Sequence, residues 1–345
     1  MRISVIGCGS WGTAMASHLA LLGHEVRMWA REAEVVEGIN AARRNPLFLS
    51  DVELARGVMA CGDLEESLRG AQVVVNAVPS RWTREVAAAA SPYVPAEAAV
   101  LNLAKGFDYA SGCRLSQAIA EELGRDPRSG VAALSGPNHA EEVARKVPSA
   151  TVIACGDAAV ASGLQGSFNS PYFRVYTNGD VVGVEVGGAY KNIIAIAAGV
   201  LDGLGLGDNT KASLITRGLA EMARFGSALG ANPITFSGLS GVGDLIVTCI
   251  SRHSRNRGFG ERLGAGGSPS AVLAEGRMVV EGVFATRAVI GLARDLGVET
   301  PVARGVHDVI EEKVSPAGIV ERLMTRRLRE ESEEYLYRDF LLGRR

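Results

Sequence analysis

Apolar and polar positions give the chain two rhythms, one before about residue 180 and one after it. In the first part, short β-rich runs at residues 3–6, 25–30, 58–61, 72–78, 98–104, 131–134, 151–154 and 173–176 read as strands. Between them, residues 13–22, 32–43, 63–69, 83–90 and 113–123 carry helical spacing. Runs such as QVVVNAV and AAVLNLA are apolar without alternation, as expected of strands covered on both faces. Strands alternating with helices predict a parallel, doubly wound sheet, hence an α/β domain over residues 1–179. From residue 180 the pattern becomes helix after helix, at 181–201, 211–229, 270–274, 286–296 and 302–313, which predicts an all-α domain over residues 180–345. Asn138 followed by Glu141 fits a capping box opening a helix. The charged run 326–334 reads as a solvated helix face.

The opening stretch refines the first domain. A strand ends at Gly7-Cys8-Gly9-Ser10-Trp11-Gly12, and a helix of small and apolar residues follows. Gly7 permits a tight turn, Gly9 lets a pyrophosphate approach the backbone, and Gly12 allows close packing of helix on strand. The helix start then offers its N–H groups and the positive end of its dipole to an anion. A plain β-turn-α connection is the competing reading, but the second strand that follows favours a dinucleotide site. That strand ends in Ala30-Arg31, where an acid would take the ribose 2′-OH of NADH. A guanidinium suits a 2′-phosphate, so NADPH is the expected coenzyme. NADH is the alternative should Glu32 turn inward instead. Residues 7–12, Arg31, residues 78–80, Lys105-Gly106 and residues 136–138 all follow predicted strands, so they are expected at one edge of the sheet, where such sheets bind ligands.

Composition narrows the functional classes. Of 345 residues 42 are glycine, about 12% against a usual ~7%, which suits close backbone approaches. A formal charge of −2 leaves no basic excess for general nucleic-acid binding. The five cysteines, Cys8, Cys61, Cys113, Cys155 and Cys249, form no CxxC pair, so neither a zinc site nor a disulfide framework is expected, no metal is assigned, and a reducing cytoplasm fits best. Residues 3–24 lack Lys, Arg, Asp and Glu, but Gly7, Gly9, Gly12, Ser10 and His18 interrupt them, so no membrane insertion is expected.

Three polar positions stand out. Residues 181–201 hold only two charges, Glu185 and Lys191; a lysine in such a run either snorkels outward or is put to use. Asp244, after Gly241-Val242-Gly243, is either a helix-start acid or the partner of Lys191. Ser254, Arg255 and Asn256 offer a hydroxyl, a guanidinium fork and an amide to an anion such as a phosphate, against the alternative of an exposed loop. Gly258 and Gly260 behind them suggest a loop able to close over a ligand. Lys105 is the only charge between Glu97 and Asp108, and by local sequence a solvated loop lysine is equally consistent.

GCGSWGTA, NLAKG, LSGPNHAEEVA, VGGAYKNIIAIAAG, GLSGVGDLIVTC, SRNRGFG and VVEGV, in this order, resemble bacterial NAD(P)-dependent glycerol-3-phosphate dehydrogenase, over the chain to about residue 325. The resemblance implies a Rossmann-like domain followed by a helical domain of the 6-phosphogluconate dehydrogenase C-terminal type. It implies reversible reduction of dihydroxyacetone phosphate to glycerol 3-phosphate, supplying phospholipid synthesis. By position, Ser10, Trp11, Arg31, Lys105, Ala140, Arg255, Val279 and Glu281 match nucleotide contacts. Lys105, Gly136, Asn138, Lys191, Asp244, Ser254, Arg255 and Asn256 match substrate contacts, and Lys191 matches the proton-transfer residue. Two departures matter: Asn138 stands where the family often has Ser or Thr, and Glu32 beside Arg31 makes the 2′-phosphate pocket less basic. A ketopantoate-type reductase and a catalytically silent NADPH sensor are the rival readings; a sensor has no need of Lys191 with Asp244. Helices apolar on all sides in the second half suggest a homodimer.

Overall fold

In the computed structural model, residues 1–275, 279–328 and 331 are described. Contacts group them into two units, Met1–Ala104 with Cys113–Val181, and Lys105–Gly112 with the chain from Val182 onward. The break after Val181 lies beside the expected one. The transfer of Lys105–Gly112 to the second unit was not expected.

The first unit runs β1 (Arg2–Ile6), α1 (Ser10–Leu21), β2 (Glu25–Trp29), α2 (Ala33–Ala42), β3 (Val58–Cys61), α3 (Leu64–Leu68), β4 (Val73–Asn76), α4 (Ser80–Ala90), β5 (Ala99–Asn102), α5 (Leu115–Glu122), β6 (Ala132–Ser135), α6 (Ala140–Ala144), β7 (Ser149–Ala154), α7 (Ala158–Phe168) and β8 (Phe173–Asn178). The strands form one sheet in the order β3-β2-β1-β4-β5-β6-β7-β8. β1 and β4 are parallel, but the order of winding reverses between them, and doubly wound sheets bind ligands at such a switch point. The apolar runs follow from helices on both faces: Val73 and Val75 enter one core cluster, and Val74 enters another.

One pair departs from the expected parallel sheet, for β6 and β7 are antiparallel. The element between them, α6, has five residues and rises about 7 Å, too little to carry the chain back along a strand, so it returns from the end it left. Helix α7 escaped the sequence reading because its small residues and two glycines dilute the pattern; Ala161, Leu164 and Phe168 alone mark its buried stripe.

The second unit contains α8 (Val181–Gly203), α9 (Asp208–Ala228), α10 (Asp244–Ile250), α11 (Arg255–Gly264), α12 (Pro269–Glu275), α13 (Glu281–Leu296), α14 (Pro301–Ile310) and α15 (Pro316–Met324). Helix α8 is the only described helix long and apolar enough to cross a membrane, but 89% of its most apolar window is buried inside the structure. Its all-round apolarity is thus accounted for as the core of this unit and no longer argues for a partner chain. The run 326–334 falls largely outside the described residues; of its described part, 326–328 are not helical and 331 stands in a 3-10 turn.

The expected mobile loop around Gly258 and Gly260 is instead helix α11, pressed against α8. A Cβ at Gly260 would lie 2.0 Å from the Ile196 carbonyl oxygen, and one at Gly199 1.9 Å from that of Arg257. These glycines serve close helix crossing, so closure of that segment over a ligand loses its basis.

Candidate functional site

Each unit carries its own group of the expected residues. In the first unit, Gly7 adopts φ +106°, open to glycine alone at no cost, and an added Cβ would meet the Ala77 carbonyl carbon at 2.9 Å. An added Cβ at Gly12 would lie 2.1 Å from Gly7 O, whereas Gly9 faces open space. Ser10 opens α1, and no side chain caps that helix. Trp11 packs its ring near Phe173, centroids 6.5 Å apart, and its buried Nε1 has no hydrogen-bond partner among the described residues. An uncapped helix start beside an open glycine fits the pyrophosphate of a dinucleotide. Arg31, its side chain 79% exposed, pairs with Glu32 at 3.3 Å, an exposed contact worth ~0–1 kcal/mol and readily exchanged for a phosphate.

Gly136 sits at φ +144°, and a Cβ there would press on Thr151 Cα at 2.9 Å. Asn138 is buried, and its Nδ2 donates to Thr151 Oγ1 at 2.8 Å, which in turn donates to the Ser135 carbonyl at 2.9 Å. The expected capping box is therefore corrected. His139 is the cap residue of α6, with no side-chain capping bond, because the Asn138 amide is drawn into the β6–β7 junction. Ala140 begins α6.

The second unit assembles the charged cluster. Lys191, 6% exposed, donates to Asp244 Oδ1 at 2.5 Å and to Thr248 Oγ1 at 2.8 Å. Lys105 donates to the other oxygen, Asp244 Oδ2, at 2.7 Å. Burial, aided by the nearby Lys105 ammonium and opposed by Asp244, pulls the Lys191 pKa down from 10.5 to about 8. Burial alone would raise the Asp244 carboxyl, but the two lysines outweigh it and hold it below the usual range. Thus Lys191 does not snorkel, Lys105 is not a solvated loop lysine, and Asp244 opens α10 and also partners both.

At the start of α11, Ser254 caps the helix by accepting from the Arg257 N–H at 3.2 Å. Arg255 is exposed and donates to the Val279 carbonyl at 3.0 Å. Asn256 is buried; its Nδ2 donates to Asn192 Oδ1 and its Oδ1 accepts the Gly282 N–H, both at 2.9 Å. That chain ties α8, α11 and the N-terminal turn of α13, which begins at Glu281.

Thr248 and Asn192 were missed. Thr248 lies four residues after Asp244, hence on the same helical face, but α10 had not been recognised as a helix. Asn192 follows Lys191 directly and was passed over for it. Among the described residues no group of three or more His, Cys, Asp or Glu is placed to hold a metal.

Two family models match, the N-terminal one of NAD-dependent glycerol-3-phosphate dehydrogenase over residues 2–161 and the C-terminal one over residues 180–321. Glycerol-3-phosphate dehydrogenase [NAD(P)+] of Pelotomaculum thermopropionicum is 48% identical over 99% of this chain and 98% of its own. The Bacillus velezensis enzyme of the same name is 45% identical over 96% of each. The crystal structure of a Coxiella burnetii glycerol-3-phosphate dehydrogenase superposes with TM-score 0.89 at 37% identity, covering 94% of this chain and 99% of that one. A Ralstonia eutropha ketopantoate reductase, at 18% identity and TM-score 0.61, shares the fold alone. With both halves matched and near-half identity along almost the whole length, the chain belongs to the NAD(P)-dependent glycerol-3-phosphate dehydrogenase family.

Proposed function

We propose that in this glycerol-3-phosphate dehydrogenase Lys191 is the acid that protonates the ketone oxygen of dihydroxyacetone phosphate, and that NADPH is the preferred coenzyme. The observation that carries the first part is the buried ammonium of Lys191 held on Asp244 and Thr248. An ammonium has three hydrogens, and these two contacts use two of them. The third is available to a carbonyl oxygen, where it stabilises developing negative charge and then transfers. The reduced nicotinamide, when bound, supplies the hydride to the carbonyl carbon. With its pKa brought to about 8, Lys191 can act as acid in reduction and as base in the reverse oxidation near neutral pH. Asp244 orients that nitrogen, and Lys105 shares the carboxylate while presenting a second cation to an anionic substrate.

The start of α11 supports a phosphate role for Arg255, with the Asn256 amide fixed beside it and the helix dipole favourable. Gly136 and Asn138 are assigned to the substrate by family position only, and Asn138 already spends one amide hydrogen on Thr151. The residues of the glycine turn fit a dinucleotide. Ser10, Trp11, Ala140, Val279 and Glu281 are assigned to it by position. Exposed Arg31 supports the 2′-phosphate of NADPH. A reducing cytoplasm is part of the same reading and rests on five spread cysteines without a CxxC pair. The test is coenzyme oxidation followed by absorbance with dihydroxyacetone phosphate and a panel of other ketones including ketopantoate, using NADPH and NADH in parallel. A higher kcat/KM with NADH, unchanged in Arg31→Ala, overturns the coenzyme assignment.

A further inference from the structure

Phe107 lies two residues beyond Lys105 and is 3% exposed. Its ring meets Phe225 of α9 edge-on, with centroids 6.4 Å apart and planes at 86°. Phe225 in turn packs on Tyr190 at 5.3 Å, and Tyr190 immediately precedes Lys191. Three rings therefore connect the backbone that carries one lysine with the backbone that carries the other. Neither end is loose. The Tyr190 hydroxyl donates to Glu221 Oε1 at 2.7 Å, and Glu221 accepts the N–H groups of Val302 and Ala303 that open α14. Beyond Phe107 the chain closes on itself: Asp108 Oδ2 accepts from the Ser111 N–H and hydroxyl, and the Gly112 N–H donates to the Asp108 carbonyl. Tyr109 then sets its ring against Phe284, with centroids 5.7 Å apart.

A lysine has four rotatable side-chain bonds and cannot by itself define where its ammonium rests. Its backbone must be held, and residues 105–112 contain no helix that would hold it. We propose that Phe107 is a positioning residue for the reaction, fixing through Phe225 and Tyr190 where Lys105 reaches Asp244 relative to Lys191, a role that rests on the reading of Lys191 as proton donor. The groups that face Lys191 make this measurable. Asp244 raises its pKa, Lys105 lowers it, and the Cys249 thiol, pushed up to about 12 chiefly by burial, stays neutral. Loosening Phe107 lets Lys105 drift from the shared carboxylate, so the Lys191 pKa rises.

The experiment compares wild type, Phe107→Ala, Phe107→Leu, Lys105→Gln, Lys191→Ala and the double variant Phe107→Ala/Lys105→Gln, by steady-state reduction of dihydroxyacetone phosphate across pH, NADPH binding and thermal melting. Phe107→Ala is expected to lower kcat about 10- to 100-fold, the cost of misplacing a reacting group by about 1 Å, with NADPH binding unchanged. Its alkaline limb moves to higher pH, and both effects largely vanish in the Lys105→Gln background. A lowered melting temperature with wild-type kcat and an unmoved limb overturns the role, as does a loss that multiplies undiminished in that background. Should Phe107→Ala not accumulate as folded enzyme, Phe107→Leu is read the same way: a limb moved upward supports the role, and an unmoved limb overturns it. Turnover surviving in Lys191→Ala would instead overturn the proton-donor reading itself.

Discussion

Lys105 and Lys191 donate to opposite oxygens of one buried carboxylate, Asp244, at 2.7 and 2.5 Å. Two cations on one anion leave an excess positive charge in a place of low dielectric. Burial and the second ammonium answer that excess by drawing the Lys191 pKa down to about 8, and the proposed role gives the pair an anionic substrate and a developing oxyanion to meet.

Replacing Lys191 by alanine removes the proposed proton donor without touching the glycine turn. Turnover is expected to fall by about 10³-fold or more, since both acid catalysis and oxyanion stabilisation are lost. NADPH affinity, measured by fluorescence titration, is expected to stay within about twofold of wild type, because only that chemistry is lost.

The pH dependence has a definite sign. Lys191 must be charged to donate, and its pKa is lowered to about 8. For ketone reduction, kcat/KM therefore holds below that value and declines as pH rises through it. For glycerol 3-phosphate oxidation the same group must be neutral, so the rate climbs over that range. Identical limbs in both directions would assign the titration to another group.

Asp244→Asn keeps the shape and deletes the anion. Burial and Lys105 then act on Lys191 unopposed, so its pKa falls further and the alkaline limb of reduction moves to lower pH. Leaving two cations without their buried partner costs about 3–5 kcal/mol of stability, read from denaturant unfolding.

At the crossing of α8 and α11, Gly260→Ala places a methyl 2.0 Å from a carbonyl oxygen that belongs to a helix and cannot step aside. Destabilisation of about 1–3 kcal/mol is expected. Gly258→Ala, where nothing lies within 4 Å of the added carbon, serves as the control and is expected to melt slightly above wild type, because alanine is the better helix former.

Arg31→Ala is expected to raise the KM for NADPH by roughly tenfold, about 1.4 kcal/mol, through loss of one exposed charge-assisted contact, and to leave that for NADH unchanged. Equal effects on both coenzymes would place Arg31 elsewhere on the nucleotide.

The residues by themselves determined what depends on local periodicity and local sterics. The strand rhythm, the glycine turn at Gly7, Gly9 and Gly12, and the oddity of Lys191 in an apolar run were legible because each is a statement about neighbours a few positions apart. Tertiary structure decided what depends on packing. Lys191 finds Asp244 across 53 positions and Lys105 finds it across 139, and no spacing rule encodes either contact. The glycines of α11 looked like hinges, since glycine that loosens a loop and glycine that admits a neighbouring helix are the same residue. Asn138 looked like a cap, since an amide satisfies whichever partner the fold brings nearest, and here that is Thr151 on the antiparallel β7.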